Sequence, residues 1–133
     1  MEIALRYELI QSIPELANTI YPTNAPEVMP KNLDGTPKPY LVYYRTNTDP
    51  TKTLDGYTGD KALSFIFSVM AIKYSDMKSL SNKIETFLMS IIKTNIGATD
   101  NIHVEDLKIN NINETWEPAL GVNRGIIDFT IYY

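Results

Sequence analysis

The chain has one histidine, His103, and no cysteine. An imidazole can act as a general base or a metal ligand near neutral pH, but either role needs partners. No second histidine and no carboxylate pair stands at ligand spacing from His103, so it reads as a solvated strand position. Gly56-x-x-Gly59 hints at a phosphate loop, yet it lacks a following Lys-Ser/Thr and the strand-to-helix setting that such a loop requires. Asp55-Gly56 reads as a turn pair, because both residues suit tight turns. No Gly-x-Ser-x-Gly or His-Glu-x-x-His occurs. The tyrosines at 40, 43, 44, 57, 132 and 133 could stack on bases, but no basic residues flank them, and tyrosine is equally usual at protein interfaces. These observations predict no catalytic residue, no metal site and no cofactor.

The composition narrows the class further. A chain of 133 residues suits one domain and buries roughly two-thirds of its unfolded surface. Its 44% hydrophobic and 21% charged residues are ordinary for a soluble globular protein. The lack of cysteine excludes disulfides and thiol chemistry and suits a reducing cytoplasm. No apolar run approaches the ~20 residues of a membrane span, and Met1 to Glu8 lacks the apolar core of a signal peptide. The net charge is −4, and no lysine or arginine cluster marks a nucleic-acid footprint. An acidic surface can still line a passage for DNA, since repulsion keeps the polymer from sticking.

The elements that would position any site follow from periodicity. Leu5, Leu9 and Ile13 recur at four-residue spacing, which predicts a helix that Pro14 ends. Ser12 and Glu15 suggest a capped short turn over 14–18. From 21 to 38 four prolines and Asp34-Gly35 predict an ordered surface crossing, extended near Ile20-Tyr21 and Val28-Met29. Strands are predicted over 40–48, 63–73, 102–115 and 124–133, with a bulge or short turn near Glu105-Asp106 where the apolar parity switches. Ser75 and Asp76 offer N-cap chemistry for a helix over 76–93, whose Met77, Leu80, Ile84, Phe87, Leu88 and Ile91 form one stripe. Lys93 is placed in its last turn. The reading is an α+β single domain, a mainly antiparallel four-stranded sheet packed against an N-terminal and a long central helix. Both faces of the 63–73 strand carry large apolar groups, so its second face should also be covered, by a helix, by the crossing or by another subunit.

The connection from Thr46 to Ala62 is the least ordinary feature. Hairpin loops usually take about two to five residues. This one carries turn signals at Asp49-Pro50 and Asp55-Gly56, with Leu54 and Tyr57 between and beyond them. It is read as an extended arm that orders against a neighbouring subunit, with Asp49, Lys52, Leu54, Asp55 and Tyr57 as candidate interface residues. A floppy solvated loop is the alternative.

The order of pieces resembles a known family. Tyr21-Pro22, Pro39-Tyr-Leu-Val-Tyr-Tyr44, Thr53-Leu-Asp-Gly-Tyr-Thr-Gly59, Lys73-Tyr74, Trp116-Glu-Pro118 and Asp128-Phe-Thr-Ile-Tyr-Tyr133 together look like the tail-completion, or tail-terminator, proteins of long-tailed non-contractile bacteriophages. The second strand departs from that pattern, with Phe65-Ile-Phe-Ser-Val-Met-Ala71 where members carry more polar residues. The resemblance implies a non-enzymatic virion protein, made in the host cytoplasm, that forms a ring, typically hexameric, at the tail–neck junction. Its partners would be the tail tube protein and the head–neck connector, with genomic DNA passing through the lumen and no membrane or cofactor involved. Another neck or head-completion protein is the neighbouring alternative. A monomeric ligand-binding or regulatory domain is the alternative from a different class.

Overall fold

The computed structural model describes residues 2–22, 35, 37–53, 56–99, 101–119 and 121–133, with the backbone alone described over 47–53 and 56–61. In chain order the elements are α1 (Glu2–Ser12), a 3-10 turn (Pro14–Leu16), β1 (Ile20–Pro22), β2 (Tyr40–Thr53), β3 (Gly56–Ala71), α2 (Tyr74–Ser90), β4 (Asn95–Ile96), β5 (Ile102–His103), β6 (Asp106–Glu117) and β7 (Val122–Tyr132). The main sheet has five strands, not four, in the order β1-β2-β3-β7-β6. The additional one, β1, is too short to show a period of two, and it pairs parallel to β2 from Ile20–Leu41 to Pro22–Tyr43. Every other pairing in this sheet is antiparallel.

Side-chain alternation decides which face each residue serves. Leu63, Phe65, Phe67, Val69 and Ala71 of β3 join Ile127, Phe129 and Ile131 of β7 in one buried cluster with Leu5 and Leu9 of α1 and Leu80, Ile84, Phe87 and Leu88 of α2. Both helices therefore cover the same face. At its centre Phe129 stacks on Phe65 at 5.6 Å and meets Phe67 edge-on at 4.8 Å. Such aromatic pairs add about 0.5–1.5 kcal/mol each beyond the area they bury. The second face is apolar at one end, where Tyr40, Val42, Met70 and Val122 are buried with Tyr21 against them. At the same end Arg124, opposite Met70, donates to the buried Ser68 hydroxyl and to Glu117, and further along the face Ser64 and Thr130 share a hydrogen bond of 2.9 Å beside the half-buried Ile66 and Ile126.

Gly125 sets how closely α2 approaches the sheet. A Cβ there would lie 2.6 Å from Ser81 Oγ and 2.8 Å from Met77 Sδ. Gly125→Ala should therefore cost about 1–3 kcal/mol as an overpacking change, read as a lowered melting temperature. A variant melting with its parent would show that the Ser81 and Met77 side chains turn aside at little cost.

Several boundaries differ from the sequence expectation. The helix α2 starts at Tyr74, with Lys73 as an extended N-cap that makes no side-chain capping bond, so Ser75 and Asp76 lie inside the first turn. It ends at Ser90, and Lys93 lies beyond it with φ 63°. The short turn after α1 covers only Pro14–Leu16 and has no side-chain cap from Ser12. The predicted 102–115 strand is two pieces. β5 pairs with β4 in a separate two-stranded sheet, and Val104 exchanges backbone bonds with Lys93 and Thr94 at 2.8 Å each. Val104 is fully buried, so the parity switch marks a change of sheet. The register shift of β6 falls later, between Ile109 and Asn111. The expected extended piece at Val28-Met29 lies outside the described residues.

Candidate assembly surface

The Thr46 to Ala62 connection is mostly strand. β2 and β3 pair from Tyr40–Met70 out to Thr53–Gly56, whereas β7 pairs with β3 only from Ala71–Asn123 to Ala62–Tyr132. Beyond Ala62 the hairpin continues as a two-stranded ribbon. At ~3.3 Å per residue it extends about 20 Å past the sheet. The expectation of a turn at Asp49-Pro50 is corrected: both residues are in β2, opposite Ala62 and Lys61. Proline is tolerated there because a register shift follows directly, between Pro50 and Lys52, and bulges and edges do not need its missing N–H. A second shift lies between Arg45 and Asn47. There Thr46 Oγ1 donates to the Ser64 carbonyl at 3.2 Å. Bulges bend a strand and increase its twist, so these two re-aim the ribbon at its root and midway.

Of the candidate interface residues, Asp49 and Lys52 are on β2 and Tyr57 is on β3. Lys52 and Tyr57 are directly opposite in the ladder. Leu54 and Asp55, at the reversal, lie outside the described residues.

A second surface, which periodicity and motifs did not single out, runs along β6. Ile112, Glu114 and Trp116 alternate onto the α2 side of the sheet, opposite Ile127, Gly125 and Asn123 of β7. Ile112 is 42% exposed, Trp116 53% and Tyr74, at the start of α2, 51%. Glu114 ties this row to the helix, accepting from Tyr74 Oη at 2.6 Å and from Lys78 Nζ at 2.7 Å. The period-two row Ile112, Glu114, Trp116 is the signal in the sequence that would have found it.

The clamp has a defined pH window. Hydrogen bonds from Lys78 and then Tyr74 hold the Glu114 carboxyl below the ordinary carboxylate range. The hydrogen bond to Glu114 is also the main reason that Lys78 and Tyr74 are raised. The Glu114 contribution is thus present above its unfolded value and lost as pH falls through the lowered one. The Lys78 and Tyr74 contributions are full below their unfolded values and lost as pH rises through the raised ones. An NMR titration should give Glu114 a lower midpoint in the parent than in a Tyr74→Phe/Lys78→Met variant. Equal midpoints would remove the clamp.

His103 is half-exposed on β5, with Nδ1 2.7 Å from Asn95 Oδ1 and Nε2 3.5 Å from Glu105 Oε1. Lys93 Nζ also meets Glu105, at 3.1 Å. This is a surface polar group as the sequence suggests. Among the described residues no cluster of His, Cys, Asp or Glu could hold a metal ion.

The architecture defines a class: an α+β domain with two helices on one face of a mainly antiparallel sheet and a hairpin projecting from it. A chain in the virion of a native gene transfer agent particle is similar, with a TM-score of 0.59 over 97% of this chain and 93% of that one, at 15% identity. The two share this fold. No family model matches the chain, and no curated protein matches it.

Proposed function

We propose that this protein is a structural, non-enzymatic component of a phage-like virion and acts as a tail terminator, a ring that caps the tail tube and joins it to the neck. The observation that carries the reading is the fold likeness, nearly end to end, to a chain of a gene transfer agent virion. The projecting ribbon supports it, since a two-stranded extension is marginal alone and gains stability from a neighbour. In this reading the ring is hexameric, its partners are the tail tube protein and the head–neck connector, and DNA passes through an acidic lumen without sequence-specific binding. Asp49, Lys52, Leu54, Asp55 and Tyr57 lie at the contacts between copies.

Gold labelling of an epitope-tagged chain in assembled particles tests the position. Label at the head-proximal end of the tail is expected; label on the capsid surface or along the whole tube would sink the reading. A non-catalytic role also predicts that His103→Gln leaves infectivity at the parent level. Loss of infectivity with normal particles would reopen an enzymatic role.

A further inference from the structure

The ribbon needs a surface to land on, and the outer edge of β6 meets that need in three ways. First, β6 is an edge strand among the described residues, and an edge offers a row of unpaired N–H and C=O groups. Its first half is guarded by Lys108 and by the register shift between Ile109 and Asn111. Charge and bulges are the devices that block strand addition. The second half, Asn111 to Glu117, continues in regular register. Second, that half is flanked by the exposed side chains of Ile112, Trp116 and Tyr74. Third, the ribbon is the matching piece. Its β2 strand runs from Asn47 to Thr53, and β1 pairs with β2 only at Leu41 to Tyr43. Among the described residues its outer edge therefore has no ladder partner. Pro50, which has no N–H, and the register shift between Pro50 and Lys52 interrupt the ribbon's run, so it can pair only on either side of them, and the two runs lie on different parts of the sheet. They cannot meet within one subunit without abandoning the β3–β7 ladder between them.

Resting on the ring reading above, we infer that the β6 edge from Asn111 to Glu117 is the acceptor for the hairpin ribbon of the next copy, which adds to it as further strands. A ribbon and an edge on different patches make a head-to-tail contact, which closes into a ring when the rotation allows. Strand addition supplies main-chain hydrogen bonds, and the flanking side chains supply register. Trp116 covers the added strand and Ile112 packs beside it.

The absence of native cysteine makes the test clean. Thr51→Cys on the ribbon is combined, one pair at a time, with Asn111→Cys, Asn113→Cys or Thr115→Cys on the β6 edge. A control pairs Thr51→Cys with Tyr7→Cys on the outer face of α1. Assembled particles and concentrated purified protein are oxidised and run without reductant. Disulfides form only where Cα atoms come within about 7 Å. At least one β6 pairing should give a ladder of covalent multimers that each single variant lacks. Trp116→Ala, at an exposed position, should leave melting unchanged and lower the ladder yield several-fold. A ladder from the Tyr7 control alone, or multimers seen by mass photometry with no β6 cross-link, would overturn the acceptor while leaving the ring intact. Monomers alone, both in particles and in solution, would overturn the ring reading as well.

Discussion

Replacing Pro50 to Thr58 with a short Gly-Ser turn should abolish head–tail joining while leaving the subunit folded. The cut removes the outer part of the ribbon and spares the strands where β3 pairs with β7, from Ala62 to Ala71. Phe65, Phe67 and Phe129 of the buried aromatic cluster all lie outside it. Circular dichroism and melting should stay near the parent's. In infected cells the same variant should give free heads beside unjoined or overlong tails. The energetic reason is that each contact is weak. In the proposed ring, burying Leu54 and Tyr57 would contribute a few kcal/mol at ~25 cal/mol per Å² of apolar area, against an association cost of roughly 4–15 kcal/mol. Contacts of that size hold only when many are made together on a tail tip, so removing one from every copy removes the ring. Normal virions from the shortened chain would take the ribbon out of the mechanism. A chain that failed to fold would place it in the core.

The largest effect on stability is expected from Phe129→Ala. Phe129 is fully buried, on β7 between β3 and β6, and touches both Phe65 and Phe67. Large-to-small changes of this kind cost about 3–5 kcal/mol, part lost transfer energy and part residual cavity. Only a few kcal/mol hold a domain together, at about 0.05–0.15 kcal/mol per residue, so this variant should melt far below the parent or express poorly. Phe87→Ala, which empties the helix side of the same cluster, belongs to the same class. Denaturant titration of either variant reads the loss directly. A midpoint equal to the parent's would mean that the helices do not pack on this face.

Part of this architecture is legible in the sequence alone. The α2 stripe from Met77 to Leu88 is, because a 3.6-residue period sustained over several turns has few competing explanations. So is the inward set Ile127, Phe129 and Ile131. The ribbon is half legible. Its length and its need for a partner stand out, but Asp49-Pro50 looks like a turn, because local chemistry cannot show that a strand is held by pairing across a bulge. β1 offers too few residues for any period. The β6 surface differs again: the period-two row Ile112, Glu114, Trp116 is present in the sequence, but it takes the register against β7 to show that the row lies on the α2 side of the sheet.

The β3–β7 ladder has a mechanical consequence. A pull along the ribbon, such as a neighbouring copy in the proposed ring would exert, is directed along β3 and loads the run from Ala62–Tyr132 to Ala71–Asn123 in shear. Its bonds then share the load and must fail together, whereas a pull across the strands would open them one at a time like a zip. Under force the lifetime is set by the unfolding rate rather than by equilibrium stability, so the geometry favours a slow rupture when the load comes through the ribbon.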